Sequence, residues 1–189
     1  MTAPKRLRRD AQDSVARLRA AALEIFRTNG LDASLYEIAR AAGVSIGTLY
    51  HRFGTREGLI DAVIPEIADC RLQALRATVL GHETPRRRLA AYVHGMIGLQ
   101  RDDPALNDAI LRRFPEAAAL AGVCERSFAL GRELVRDAHA DGSLSPGFTE
   151  HDLFCLLWLA GVAGRDQAAP AGWQRVLDHA LDAAWTTPS

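Results

Sequence analysis

The stretch that most constrains the fold is Ala33-Ser-Leu-Tyr-Glu-Ile-Ala-Arg-Ala-Ala-Gly43-Val-Ser-Ile-Gly-Thr-Leu-Tyr-His-Arg-Phe53. A short helical pattern lies on each side of Gly43. Before it, Leu35, Ile38, Ala39 and Ala42 recur at helical spacing and supply one buried side. After it, Val44 and Leu49 fill the space between the helices. Phe53, four residues beyond Leu49, shares its face. Gly43 allows the tight turn, where a side chain at positive φ would be strained. Ala39 and Ala42 are small where two helices cross at close range. These features together predict a helix-turn-helix.

The second of these helices leaves Ser45, Ile46, Gly47, Thr48, Tyr50, His51 and Arg52 on its other face. Gly47 lets a backbone approach DNA. Ser45 and Thr48 suit bases or phosphates, and Ile46 suits a thymine methyl. Tyr50, His51 and Arg52 suit phosphate oxygens, which position a helix without reading sequence. Ser34 and Arg56 sit at helix starts, where backbone N–H groups also favour phosphate. Charge agrees with this placement. Residues 1–60 hold ten Lys/Arg against six Asp/Glu, and residues 61–189 hold thirteen against seventeen. A basic front end on a neutral chain fits a phosphate-contacting head on a body that touches none.

The remaining chain is helical in period throughout. Residues 1–12 read as a disordered basic arm, and 13–60 as the helix-turn-helix domain. Residues 61–189 read as a helical body. The first helix opens at Asp13 or Ser14 and closes at Asn29-Gly30. Ser34 and Glu37 form a capping-box signature. Ser45 and Thr55 cap the next two helices. The last of these runs to about Leu80, with a kink or break expected at Pro65. Further helices are expected near Pro85–Arg101, Ala105–Arg113, Pro115–Ala140, Thr149–Ala163 and Ala171–Ala184, separated by Gly, Pro and Asp breaks. No alternating strand-like run occurs. The expected fold is all-α, with about nine helices.

At 189 residues the chain suits one or two small domains with a sizeable core. No apolar run approaches the roughly 18–20 residues that span a bilayer, so no membrane partner is expected. The basic N-terminus lacks an apolar signal core, which predicts a cytoplasmic protein. Cys70, Cys124 and Cys155 are far apart and odd in number; they read as small buried hydrophobes and not as a disulfide or zinc set.

The run Ile38-Ala39-Arg40-Ala41-Ala42-Gly43-Val44-Ser45-Ile46-Gly47-Thr48-Leu49-Tyr50-His51-Arg52-Phe53, followed by Arg56-Glu57-Gly58-Leu59, resembles the DNA-binding domain of TetR/AcrR-family transcriptional regulators. The resemblance covers about residues 14–62. It implies that the helix after Gly43 enters the major groove, and that Thr48, Tyr50, His51 and Arg56 take the family's DNA-contacting roles. Arg52 and Arg56 stand where a histidine and a lysine are common. Both keep or add positive charge.

The resemblance further implies a ligand-binding and dimerisation body, whose last two long helices pair with a second copy. Leu153, Leu156, Leu157 and Ala160 form one apolar stripe, and Trp173, Val176, Leu177, Ala180 and Leu181 another. Both stripes suit an intrachain core, a dimer interface, or both. Tyr92, His94, Met96, Leu99, Phe114, Phe128 and Trp158 are candidate ligand contacts, because apolar bodies with polar tips suit a small-molecule pocket. Arg112-Arg113 is a candidate site for an anionic effector. The expected partners are a pseudo-palindromic double-stranded DNA operator, a second copy and a small-molecule effector. No cofactor or metal is expected. A ligand-released repressor is the first reading. Alternatives are a ligand-responsive activator and a helical protein-binding adaptor without DNA specificity. An enzyme is disfavoured. The chain has no His-Glu-x-x-His, no phosphate-binding Gly-Lys loop and no Gly-x-Ser-x-Gly elbow, and its six histidines are scattered.

Overall fold

The computed structural model describes residues 3–112 and 114–186, with side chains from residue 12 onward. Among the described residues the chain forms nine helices. They are α1 Ala3–Asn29, α2 Leu35–Ala41, α3 Ile46–Phe53, α4 Arg56–Leu80, α5 Pro85–Asp102, α6 Pro104–Leu111, α7 Ala118–Ala140, α8 Glu150–Arg165 and α9 Trp173–Ala183. The only strand-like pairing among them is an isolated bridge between Leu144 and Trp185.

Two expectations about the front of the chain are corrected. Residues 3–12, expected as part of a disordered arm, continue α1. Pro4 lies in the first turn, where its missing N–H costs nothing, and good helix formers follow it. Met1 and Thr2 lie outside the described residues. α4 also runs unbroken through Pro65. The division expected at residues 60 and 61 therefore falls inside a continuous helix.

The first core is built on Leu18, Ala22 and Phe26 of α1, Leu35 and Ile38 of α2, Leu49 of α3 and Leu59, Ile60 and Ile64 of α4. It does not stop at the helix-turn-helix. Leu106 and Ala109 of α6 and Leu120 and Val123 of α7 are buried in the same cluster. The second core joins Leu89, Tyr92, Val93 and Met96 of α5 with Leu130 and Leu134 of α7, Leu153 and Leu157 of α8 and Leu181 of α9. α6 bears on both halves, packing on α1 and on α5 and α8.

α7 starts later than Pro115 because its N-terminus is organised from elsewhere. Ala117, at its cap position, has no side-chain oxygen to offer. Instead Glu57 Oε2 accepts from Glu116 N at 2.7 Å, and Asp61 Oδ1 accepts from Leu120 N at 3.0 Å. Two carboxylates of α4 thus satisfy donors that a local cap would otherwise take.

Candidate nucleic-acid interface

The turn before α3 is set by Gly43, whose φ is +66°. Val44 N then donates back to Ala39 O at 3.0 Å, closing the end of α2. Ser45 caps α3, its Oγ accepting from Thr48 N at 3.1 Å. That hydroxyl also lies 2.9 Å from Thr48 Oγ1, so Ser45 and Thr48 orient one another. Leu49 is wholly buried, with Val44 and Phe53 packed partly buried on the same cluster. Burial of a leucine of this kind contributes about 1.5–3 kcal/mol, which fixes the rotation of α3 about its axis. Thr55 begins the next helix, its Oγ1 accepting from Gly58 N at 3.0 Å.

With the inner face fixed, the outer face carries Ser45, Gly47, Tyr50, His51 and Arg52, all exposed, and half-buried Thr48. Tyr50 is 48% exposed despite its size. Gly47 is informative because the fold does not ask for it. Among the described residues, a Cβ at this position would meet only Ser45 Oγ, at 3.7 Å. A helical glycine costs about 1 kcal/mol against alanine, yet no packing among those residues needs the missing methyl.

Three of the expected contacts are modified by the structure. Ile46 is half-buried against the first core, so only part of it faces outward. Ser34 is exposed at the start of α2, but its side chain makes no capping bond, and the box with Glu37 does not form. Arg56 is partly engaged within the chain. It is half-buried, and its Nη1 donates to Leu31 O at 2.9 Å and Ala33 O at 2.7 Å. The turn after α1 leaves these carbonyls without helical partners, and a long guanidinium satisfies both.

Two neighbouring side chains were not singled out from sequence. Tyr36 on α2 is 71% exposed. Arg17 of α1 reaches the Gly43 turn, its Nη1 3.5 Å from where a Cβ on that glycine would sit. Tyr36 could have been found by noting that it lies off the stripe of Leu35, Ile38 and Ala39. Arg17 is brought there by tertiary packing.

The head is tied to the body through α6. Leu31 N donates to Asp108 Oδ2 at 2.7 Å, both residues buried. Arg112 Nη2 bonds Asp32 Oδ2 at 2.6 Å. That guanidinium holds the Asp32 carboxyl below the usual carboxylate range. At its other end α6 is capped by Asp103, which also pairs with Arg71 of α4 at 3.4 Å. Arg112 is thus already engaged, and Arg113 lies outside the described residues.

The seven expected ligand contacts do not converge. Tyr92 is fully buried. Its hydroxyl donates to Ser127 O at 3.0 Å, and burial pushes its pKa up to about 12. Met96 is sealed in the second core, and Leu99 packs half-buried on the first. His94 is on the surface, 3.7 Å from Asp178. Tyr92 borders a cavity of about 250 Å³ between α4, α5 and α7, and Phe114, Phe128 and Trp158 line two others. Phe128 and Trp158 border one of about 440 Å³ between α6, α7 and α8. Phe114 and Phe128 border a neighbouring one of about 540 Å³.

The expected dimer stripes are also split. Leu153, Leu157, Ala160 and Leu181 are buried within the chain, because α8 and α9 pack their most apolar sides inward. Leu156, Trp173 and Leu177 are half-buried, while Val176 and Ala180 are exposed. The apolar side chains left outside on these helices include Trp158, Leu159, Val162 and Val176. Cys70 and Cys155 are exposed, against expectation. Cys124 is half-buried, its thiol pushed up to about 11 by burial. No helix among the described residues is long and apolar enough to cross a membrane.

The family model described as bacterial regulatory proteins, tetR family, matches residues 18–63. The HTH-type transcriptional regulator UidR of Escherichia coli K12 is 38% identical over 73 residues, covering 38% of this chain and 37% of that protein. The match thus spans little more than a third of such curated relatives. Solved structures extend it. The TetR transcriptional regulator SCO0520 of Streptomyces coelicolor is 30% identical with a TM-score of 0.54, covering 92% of this chain and 99% of that one. FadR of Bacillus subtilis, solved with stearoyl-CoA, superposes at a TM-score of 0.65 over 93% of this chain and all of that one. At 16% identity it attests the shared fold.

Proposed function

The chain belongs to the TetR family of bacterial transcriptional regulators, and from that premise we propose that it is a dimeric repressor released from its operator by a small molecule. The observation that carries the DNA-binding part is the outer face of α3. Gly47 gives up a side chain that nothing among the described residues displaces, and Ser45, Tyr50, His51 and Arg52 stand exposed around it. In this reading α3 lies in the major groove with Gly47 against the duplex. Ser45 and Thr48 reach base edges or phosphate, and Tyr50, His51 and Arg52 hold phosphates. Tyr36 and Arg17 join them from the flank. Arg56 acts indirectly, by holding the turn after α1.

An eight-residue helix is about 12 Å long and reads few base pairs. Specificity then calls for a second head, and paired heads call for a pseudo-palindrome. Leu159, Val162 and Val176 are apolar side chains that a second copy would cover. The effector would act by favouring one spacing of the heads over another. Its route to the head runs along α6, whose Asp108 and Arg112 hold Leu31 and Asp32. The proposed activity is binding alone, with no catalytic step.

The test is an electrophoretic shift with DNA from upstream of the chain's own gene. Wild-type protein should bind with an affinity that falls steeply with salt. Thr48→Ala and Tyr50→Ala should each weaken binding about tenfold or more, while Arg136→Ala, on exposed α7 surface, should not. Salt-insensitive binding, or equal loss in all three variants, would refute the reading.

A further inference from the structure

The cavity between α6, α7 and α8 has a composition that narrows its ligand. Three rings border it, Phe128, Phe154 and Trp158. Phe128 and Phe154 meet edge to face, their centroids 5.1 Å apart and their planes at 69°. Such a corner leaves ring surface for a third aromatic group. Trp158 is 52% exposed, an unusual position for so large an apolar side chain on a well-packed helix. The volume, about 440 Å³, suits a small organic molecule.

Charge narrows the choice further. Among the described residues the lining contains Arg132 and His151 and no carboxylate. Arg132 is half-buried, and its Nη2 donates to Glu125. Glu125 is mostly solvent-exposed and borders the adjacent cavity instead. One donor on an exposed partner leaves the guanidinium with others for the planar, two-pronged contact it makes with carboxylates. A cationic ligand would face Arg132 in apolar surroundings. A neutral hydrocarbon would leave those donors unused.

We propose that this cavity binds an aromatic monocarboxylate, its ring against Phe128, Phe154 and Trp158 and its carboxylate on Arg132. The proposal rests on the ligand-responsive reading above and names the ligand class of that reading. Its regulatory consequence is local. Ile110 and Leu111 of α6 line the same cavity and lie between Asp108 and Arg112 in the helix's last turn. A ligand that displaces these two side chains moves the helix that holds the head.

The test uses the full chain, titrated with benzoate, 2-naphthoate and biphenyl-4-carboxylate, each beside its neutral amide, with octanoate as a non-aromatic acid. Binding is read by calorimetry, melting temperature and tryptophan fluorescence. At least one aromatic acid should bind about tenfold or more tightly than its amide. Arg132→Gln should erase that preference, Arg132→Lys should keep part of it, and Phe128→Leu should weaken acid and amide alike. Melting curves identify a variant that fails to fold, and the acid-to-amide comparison on the wild-type chain stands without the variants. Failure of all three acids, parity with the amides, or tighter binding of octanoate would overturn the proposal. Should Trp158→Ala lower the sedimentation mass and leave acid binding unchanged, Trp158 belongs to a second copy and its place in the ligand wall is overturned. DNA release is read separately. An acid that binds with the expected preference without releasing DNA upholds the cavity assignment and refutes the ligand-responsive reading. Release by other compounds while every aromatic acid fails does the reverse.

Discussion

Replacing Asp108 with alanine should loosen the head from the body while leaving the core intact. Its Oδ2 accepts from Leu31 N at 2.7 Å, and Leu31 is wholly buried. Alanine leaves that N–H without an acceptor and away from water. A buried donor stranded in this way costs about 1–3 kcal/mol. For a chain of this length, a central loss of about 2 kcal/mol lowers the melting temperature by roughly 4–8 °C. Asparagine keeps an oxygen for the same N–H and gives up only the charge, so Asp108→Asn should retain much of what alanine loses. Operator affinity should fall in the same order, because the turn after α1 sets where α2 and α3 begin. Thermal melts and DNA titrations on the three proteins check this. An Asp108→Ala protein that melts and binds like wild type would refute the link between α6 and the head. So would an asparagine variant as impaired as the alanine one.

Gly43→Ala should cost about 1–2 kcal/mol from positive φ alone, since among the described residues a Cβ there would meet only Arg17 Nη1 at 3.5 Å; a melt and a DNA titration read it. Arg112 depresses the Asp32 pKa, so the pair stabilises fully above the ordinary carboxylate value of 3.8. Its contribution is lost as pH falls through the lower folded value. Because Asp32 is largely exposed, Asp32→Asn should remove no more than ~1 kcal/mol near neutrality and nothing at the acid end, as measured by urea melts across pH. Val162→Glu with Val176→Glu should shift sedimentation from dimer to monomer while the helical signal persists, because both side chains are exposed on the chain itself.

What was legible in the sequence is what depends on neighbours along the chain. Gly30 and Gly43 adopt the positive φ that the turns required, and Ser45 and Thr55 cap the helices they were expected to cap. The register of Leu49 and Phe53 followed from spacing alone. What was not legible depends on partners far away. Arg56 is held by carbonyls 23 and 25 residues earlier, and α7 is capped by carboxylates 59 residues earlier. Neither leaves a local pattern. The stripes on α8 and α9 showed the same ambiguity. Leu157 and Val176 are both apolar at helical spacing, and only packing decides that the first is sealed and the second exposed. The seven ligand candidates were chosen by residue type, and type does not separate sealed Met96 from cavity-lining Phe128.

In the proposed function the inner face of α3 folds the head while its outer face is left for DNA. Gly47→Ala separates the two faces when melting temperature and operator affinity are measured on the same preparation. A methyl at Gly47 has room within the chain and improves helix propensity, so stability should hold or rise by up to about 1 kcal/mol. Affinity should fall about tenfold or more, because the methyl occupies space taken by the duplex. Unchanged affinity, or a loss of stability that accounts for the loss of binding, would contradict the account.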